Sequence, residues 1–349
     1  MTTSTRTPPP AETVAPLQRV RRARGVALLG MIVLLAGCCV LSITVGALDV
    51  GPAEIWDGLM GRTDDIAQAA VAKRVPRTIL AAAAGAALSI SGLVLQGVTR
   101  NPLADPHILG LSTGASLAIV TGIAWFGLAS ATSYIWVAIL GAGVTALFVW
   151  FIGSLGRGGP TPLKLTLAGA ATTAALTSFV TAVVLPRPDI AESVISWEIG
   201  GVGGATASKL LQMGPFLVGG LVLSIWCARG LNMLGLGDDL AAGLGESVVR
   251  TRLLAGVAAV TLAGATTAIT GPIGFVGLVV PHFARMLVGV DHRWLLPFSA
   301  LGGASLLLVS DVVGRIILPP GEVDVGIITA IIGAPVFIAV VRTRRMREL

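Results

Sequence analysis

The chain consists largely of apolar runs of about 20 residues, which clusters of charged residues, proline or glycine interrupt. A helix needs about 20 apolar residues to cross the hydrocarbon of a bilayer, and it satisfies its backbone hydrogen bonds internally. The pattern therefore predicts an all-α integral membrane protein with ten transmembrane helices. The ten segments are residues 25–47, 76–98, 107–126, 133–155, 163–185, 211–228, 253–270, 274–289, 294–317 and 324–341.

Composition supports membrane insertion and excludes an ordinary soluble domain. Hydrophobic residues make up 54% of the chain and charged residues only 12%, against about 25% charged in soluble domains. The net charge of +6 is spread between apolar segments without interleaved aromatic residues, which argues against a nucleic-acid partner. Small residues are abundant, with 45 glycines, as expected where helices pack closely in lipid.

The distribution of basic residues predicts the orientation. With the N-terminus in the cytoplasm, 17 of the 24 Lys and Arg residues lie inside, and both termini are cytoplasmic. We expect a disordered cytoplasmic leader at 1–24, a ten-helix domain at 25–341 and a basic cytoplasmic tail at 342–349. The leader and Leu-Ala-Gly before Cys38 imitate a lipoprotein signal, but the apolar run continues far enough to span, which favours an uncleaved helix.

The chain lacks the sequence motifs of several catalytic and binding sites. No GxxxxGK[ST] phosphate loop and no G-x-S-x-G elbow occurs, so we expect no catalytic site and no ATP bound by this chain. The three histidines are far apart and favour packing over metal binding, so no metal site or cofactor is predicted. Asp311 is the main acid at membrane depth, and Arg315 four residues later favours a local ion pair over an ion-coupling site.

Two polar stretches interrupt the apolar pattern on the predicted cytoplasmic side. NPLADPHILG, residues 101–110, predicts a bend between spans in which Asn and Asp bond freed backbone groups. The longer stretch at 228–252 contains DDLAAGLG, which predicts a short helix lying along the membrane. From the residues alone, this helix is either a surface for a soluble partner or a plain loop.

Four stretches together resemble the FecCD family of permeases from ABC importers. They are RVPRTILAAAAGAALSISGLVLQGVTRNPLADPHILGLSTGAS, LGDDLAAGLGESVVRTR, GPIGFVGLVVPHFARMLVGVDHRWLLP and IIGAPVFI. The resemblance implies a type II ABC importer fold, similar to the cobalamin-importer permease, in a bacterial cytoplasmic (inner) membrane. It also implies an identical or related second permease, two ATP-binding subunits that hold ATP and Mg, and an extracytoplasmic substrate-binding protein.

The resemblance also assigns roles to residues of this chain. Arg74, Arg77 and Arg315 match arginines at the outer mouth that dock the binding protein; headgroup anchoring or an Asp311 pair are the alternatives. A coupling helix seated between ATPase domains is implied for Gly237, Asp238, Asp239, Leu240, Ala241, Ala242, Gly243, Leu244, Gly245 and Glu246. The glycine segment, residues 196–204, lines the outer translocation path or serves close packing. Its path residues are Trp197, Gly200, Gly201, Gly203 and Gly204.

The stretches NPLADP and PHFARMLVGVDHR are most similar to those of ferric-siderophore permeases. The expected function is therefore uptake of a ferric siderophore by alternating access, driven by ATP hydrolysis on the partner chains. Haem and cobalamin permeases of the same family share many of these sequence motifs and are the alternatives. An ion-coupled secondary transporter is the alternative from a different class.

Overall fold

The structure, a computed structural model, describes residues 15–46, 48–156, 161–318 and 321–345. Regular secondary structure in these residues is helical, which confirms the predicted all-α fold. The helices are α1 (Ala15–Thr44), α2 (Pro52–Leu59), α3 (Ile66–Thr99), α4 (Leu111–Phe126), α5 (Ala131–Ser154), α6 (Pro162–Val184), α7 (Pro188–Ile199), α8 (Ala207–Leu234), α9 (Asp238–Gly243), α10 (Val248–Thr270), α11 (Val276–Val288), α12 (His292–Ile317) and α13 (Val325–Arg345).

Ten of these helices coincide with the ten predicted segments. Seven of the ten (α1, α3, α5, α6, α8, α10 and α12) are long and apolar enough to cross a membrane, by length and composition. The other three, α4, α11 and α13, are shorter apolar helices. Among the described residues, seven helices thus meet the length and hydropathy expected of a membrane span. The number of ten spans stays a prediction.

The ends of the chain differ from the predicted boundaries. Helix α1 begins at Ala15, so residues 15–24 of the expected disordered leader are helical. Arginine and leucine favour helix, and the apolar run that follows lets this basic segment extend α1. Helix α13 likewise continues to Arg345, into the expected tail. Residues 1–14 and 346–349 lie outside the described part of the chain.

Helix α3 occupies the centre of the bundle and packs against α8, α10, α11 and α12. Its contacts depend on glycines that face other glycines. A Cβ on Gly85 would overlap the carbonyl of Gly303 in α12, and a Cβ on Gly92 would overlap the backbone of Gly277 in α11. Backbones that approach this closely gain dispersion contacts, which drive helix association in lipid. Helix α1, in contrast, is mostly exposed on the outside of the bundle.

Two short helices and a longer α3 were not predicted. Helices α2 and α7 precede α3 and α8, where sequence patterning gave only connecting segments. Helix α3 begins at Ile66 rather than 76, with Asp65 accepting the N–H of Ile66 and Pro76 accommodated inside the helix. The added turns contain Arg74, whose charge and proximity to Pro76 suggested a boundary.

Chain contacts define two ends of the bundle. At one end, called the α7 end, helices α1, α10 and α12 finish and helices α3 and α13 begin. The glycine segment also lies at this end, where the N–H of Gly201 donates to the carbonyl of Thr270 at the end of α10. The α9 end is where α3 and α8 finish and α10 and α12 begin. The predicted docking and path residues lie at the α7 end, and the predicted coupling residues lie at the α9 end.

Candidate docking, path and coupling sites

Arg74 caps the end of α1. Its Nη1 donates to Ile43 O at 3.1 Å and Thr44 O at 3.0 Å, and its Nη2 donates to Leu48 O at 2.8 Å. The last carbonyls of a helix lack intrahelical donors, and a cation there also interacts favourably with the helix dipole. The guanidinium crosses Gly46, where any side chain would collide with it. Arg74 is therefore buried and bonded within the chain.

Arg315 reaches the same end of α1 from α12. Its Nη1 donates to Ser42 O at 2.9 Å and Val45 O at 3.1 Å, while Nη2 donates to Ser42 Oγ at 2.8 Å. The Asp311 carboxylate accepts from Arg315 Nη2 at 2.7 Å, which is the predicted pair four residues apart. The Arg315 and Asp311 side chains are 2% and 0% exposed, so both charges depend on each other for stabilisation.

Arg77 connects this buried pair to the surface. Its Nε and Nη2 donate to Asp311 Oδ1 at 3.0 and 2.8 Å, so Asp311 lies between two guanidinium groups. Its Nη1 donates to Glu322 Oε2 at 2.7 Å. The Glu322 side chain is 42% exposed and that of Arg77 is 15% exposed. Arg77 is thus the member of the arginine cluster, defined as Arg74, Arg77 and Arg315, that approaches solvent.

The glycine segment lies beside the arginine cluster. Gly203 is exposed, and a Cβ added there would lie 3.7 Å from Arg77 Nη1. Gly204 is also exposed, and its carbonyl accepts from Lys209 Nζ at 2.8 Å. The predicted docking residues and the predicted outer path residues are therefore neighbours at the α7 end.

Two glycines of the segment serve close packing instead. Gly200 has a φ of +82°, and its carbonyl accepts from the N–H of Gly326 in α13 at 2.9 Å. Gly201 lies against Asp324, and Trp197 is half-buried with its carbonyl against Gly271. The glycine segment therefore contains both exposed glycines, which could line a path, and glycines that serve close packing.

The predicted coupling residues form a short helix at the α9 end. Helix α9 spans Asp238–Gly243, and Gly237 and Gly245 on either side have φ values of +114° and +85°. Ala241 is fully buried against the bundle, whereas Leu240 and Leu244 are each 61% exposed. The helix therefore rests on one side and presents apolar side chains on the other.

Asp238 joins α9 to two longer helices. Its Oδ1 accepts from Arg252 Nη2 in α10 at 2.9 Å and also from Arg100 Nη2 at the end of α3. Arg100 caps α3 with a φ of 51°, in the left-handed region that non-glycine residues rarely occupy. Arg252 lies over the Trp150 ring of α5, 5.9 Å from its centroid.

The predicted bend at 101–110 is buried at the α9 end. Asn101 Oδ1 accepts the N–H of Leu103 at 3.0 Å, and Asp105 Oδ1 accepts the N–H of His107 at 2.8 Å. These bonds confirm that Asn and Asp satisfy freed backbone groups. Burial raises the pKa of Asp105 above its ordinary value, an effect that His107 partly opposes.

Sequence reasoning missed three charged partners in these sites. Glu322 pairs with Arg77, while Arg100 and Arg252 pair with Asp238. The sequence did contain an indication for Arg100 and Arg252, because the predicted orientation places both arginines on the same side of the membrane as Asp238. No comparable signal existed for Glu322, since 245 residues separate it from Arg77.

Comparison with known proteins agrees with this architecture. The model of the FecCD transport family matches residues 33–343. The chain is 41% identical to the ferric enterobactin transport system permease protein FepD of Escherichia coli (strain K12), over 92% of this chain and 96% of that protein. It is 40% identical to the iron(3+)-hydroxamate import system permease protein FhuB of Bacillus subtilis (strain 168), over 90% and 84%.

A solved structure extends the comparison to the fold. A metal-chelate type ABC transporter in an inward-facing conformation superposes with a TM-score of 0.77 at 30% identity, covering 91% of this chain and 99% of that one. Family model, relatives and fold agree over nearly the whole chain. The chain therefore belongs to the FecCD transport family.

Proposed function

We propose that the chain is the permease subunit of an ATP-driven importer of metal-chelate type, and that its cargo is a ferric siderophore. Membership of the FecCD transport family and similarity to permeases named for iron chelates support the cargo class. The α9 end faces the bacterial cytoplasm and the α7 end faces outward, in agreement with the distribution of basic residues. Transport proceeds by alternating access, in which helix movements open one end of the path at a time.

The observation that carries this proposal is the exposed apolar side of α9. Leu240 and Leu244 are each 61% exposed next to the buried Ala241, at an end that also carries the ion pairs of Asp238 with Arg100 and Arg252. Apolar side chains grouped on an aqueous surface favour a protein partner. That partner is an ATP-binding subunit that holds ATP and Mg in its own site, with one such subunit for each of two permeases.

Charge substitution on α9 tests the coupling role. Leu240→Asp with Leu244→Asp places two charges on the proposed contact, and we expect the ATP-binding subunits to be lost during co-purification. Leu59→Asp is the matched control, because Leu59 is an exposed leucine on α2 at the other end. Full retention of the ATP-binding subunits by the double variant, at an unchanged permease level, would contradict the proposal.

The arginine cluster serves docking of the extracytoplasmic binding protein in this proposal. Arg77 is the contact residue, because its pair with Glu322 lies at the surface. Arg74 and Arg315 are buried, and they support docking by fixing the end of α1 next to Arg77. Exposed charge pairs mainly accelerate and orient such encounters, so docking should weaken as salt rises.

The glycine segment lines the outer part of the path in this proposal, with a second permease completing it. In a background without Cys38, Cys39 and Cys227, a bulky thiol reagent should block transport by a Gly203→Cys variant. Thr63→Cys is the control, since Thr63 is exposed near the same end but outside the glycine segment. Equal inhibition of both variants, or of neither, would remove Gly203 from the path.

Reconstituted vesicles distinguish the cargo and the energy source. A ferric siderophore should stimulate ATP hydrolysis by the assembled complex more than haem or cobalamin does. Stimulation by haem or cobalamin alone would reassign the cargo within the family. Uptake that persists without ATP-binding subunits and collapses with an ion gradient would instead establish an ion-coupled secondary transporter.

A further inference from the structure

Two arginines from different helices converge on a single oxygen of Asp238. Arg100 ends α3 and Arg252 lies in the second turn of α10, and each donates through Nη2 to Asp238 Oδ1. The neighbouring Asp239 is exposed and forms no ion pair among the described residues. The two acids at the start of α9 therefore have different environments, although the sequence makes them equivalent.

Arg100 lies at the end of α3 and Arg252 lies near the start of α10, and both helices run to the opposite end of the bundle. Helix α3 extends from Arg100 back to Arg77 and Arg74 of the arginine cluster. Helix α10 extends from Arg252 to Thr270, whose carbonyl accepts the N–H of Gly201 at 2.8 Å. One carboxylate on α9 is thus bonded to the near ends of two helices whose far ends hold the proposed docking and path residues.

We propose that Asp238 is a positioning residue that transmits movement of α9 to α3 and α10 together. This inference rests on the proposed coupling function of α9. When α9 moves with the ATP-binding subunits, the shared carboxylate obliges Arg100 and Arg252 to follow it. Because α3 packs on α11 and α12 through glycine contacts, displacement of α3 moves these helices with it.

The geometry separates this role from structural stabilisation. The side chains of Arg100, Arg252 and Asp238 are 35%, 25% and 44% exposed, and partly exposed ion pairs contribute little to folding. Helix α9 also has other anchors: Ala241 is buried, and Glu246 accepts from Thr251 in α10. Loss of the Asp238 charge should therefore leave the fold and the bound subunits in place while weakening the link from α9 to α3 and α10.

The test measures transport per ATP hydrolysed by the full complex in vesicles, with a ferric siderophore as cargo. Asp238→Asn removes the charge, and Glu192→Gln is the control, because Glu192 is an exposed carboxylate on α7 outside the coupling, docking and path residues. We expect Asp238→Asn to keep its ATP-binding subunits but to lower uptake per ATP by about fivefold or more, the lower bound of typical coupling between sites. Glu192→Gln should retain the wild-type ratio, and Asp238→Glu should recover part of it.

Two results would overturn the inference. A wild-type ratio of uptake to hydrolysis in Asp238→Asn would show that the shared carboxylate transmits nothing. Loss of the ATP-binding subunits from Asp238→Asn would make Asp238 a contact residue, which leaves the proposed function intact but removes the positioning role. Failure of the proposed function itself is detected separately, by retention of these subunits in the Leu240→Asp, Leu244→Asp variant.

Discussion

The Asp311 carboxylate and the Arg315 guanidinium form a buried ion pair one helical turn apart, with Oδ2 and Nη2 separated by 2.7 Å. The same guanidinium bonds Ser42 and Val45 at the end of α1. Removing one partner of a buried pair leaves an uncompensated charge, which costs more than the pair itself contributes. Arg315 is therefore a structural residue of the α7 end.

Replacement of Arg315 by Met should destabilise the protein by about 3 kcal/mol, because Asp311 loses one of its two guanidinium partners and the end of α1 loses its donors. Thermal unfolding of the purified protein in detergent measures this effect. Arg315→Lys should have an intermediate effect, since an ammonium keeps the charge but cannot reproduce the planar fork. A wild-type melting temperature for Arg315→Met would disprove the structural role.

Glu322→Gln should strengthen docking of the binding protein. The substitution releases Arg77 Nη1 from its surface pair, and an exposed pair of this kind is worth about 0.2 to 1 kcal/mol. The gain in affinity should be larger at low salt than at high salt. Binding measurements with the purified binding protein check this. Glu192→Gln on the exposed side of α7 is the control, and equal effects of both variants would exclude a specific role for Glu322.

Alanine substitution should separate packing glycines from surface glycines. A Cβ on Gly326 would overlap the carbonyl of Ile199 and lie 3.1 Å from that of Gly200, so Gly326→Ala should destabilise the protein by about 1 to 3 kcal/mol. Gly203→Ala should be nearly neutral, since its closest neighbour is 3.7 Å away. Parallel thermal unfolding of the two variants gives the comparison. Equal stability of the two variants would contradict it.

Asp105→Asn should become relatively more stable than the wild type as pH rises. Burial raises the Asp105 pKa above its ordinary value of 3.8, so below that value the carboxyl is protonated in both folded and unfolded chains. As pH rises, the unfolded chain ionises first, and the wild type loses stability until pH reaches the folded pKa. The amide of Asn can still accept the N–H of His107.

Melting temperatures of both proteins between about pH 4 and pH 7 test this expectation. The difference between Asp105→Asn and the wild type should grow with pH and then level off. A constant or shrinking difference for Asp105→Asn would mean that burial of the Asp105 charge has no net cost.

The fold was largely predictable because membrane helices are encoded by local hydrophobicity. Predicted segments such as 133–155 and 163–185 differ from α5 and α6 by only one or two residues at each end. The predicted start of α3 was wrong because the charge of Arg74 is compensated by carbonyls at the end of α1, which are distant in sequence. Helix α7 was missed because its mixed polar sequence, PDIAESVISWEI, has neither the length nor the hydropathy of a span.

The sites were predictable as positions but not as arrangements. Family resemblance identified Arg74 and Arg77 in RVPR, yet burial of Arg74 under the end of α1 depends on a three-dimensional contact with Gly46. The pattern DDLAAGLG identified α9, but nothing local distinguishes Asp238 from Asp239. That distinction arises from Arg100 and Arg252, which the fold brings together from positions more than a hundred residues apart.

Fastening of α1 by Arg315 has a consequence for biogenesis. The ribosome delivers α1 first, but 273 residues separate Ser42 from Arg315, so the guanidinium that locks this helix is synthesised almost last. Until α12 enters the bilayer, the end of α1 has its bonds to Arg74 of α3 but lacks those to Arg315. Nascent chains arrested before α12 should therefore keep α1 loosely attached, and synthesis of α12 completes the α7 end of the bundle.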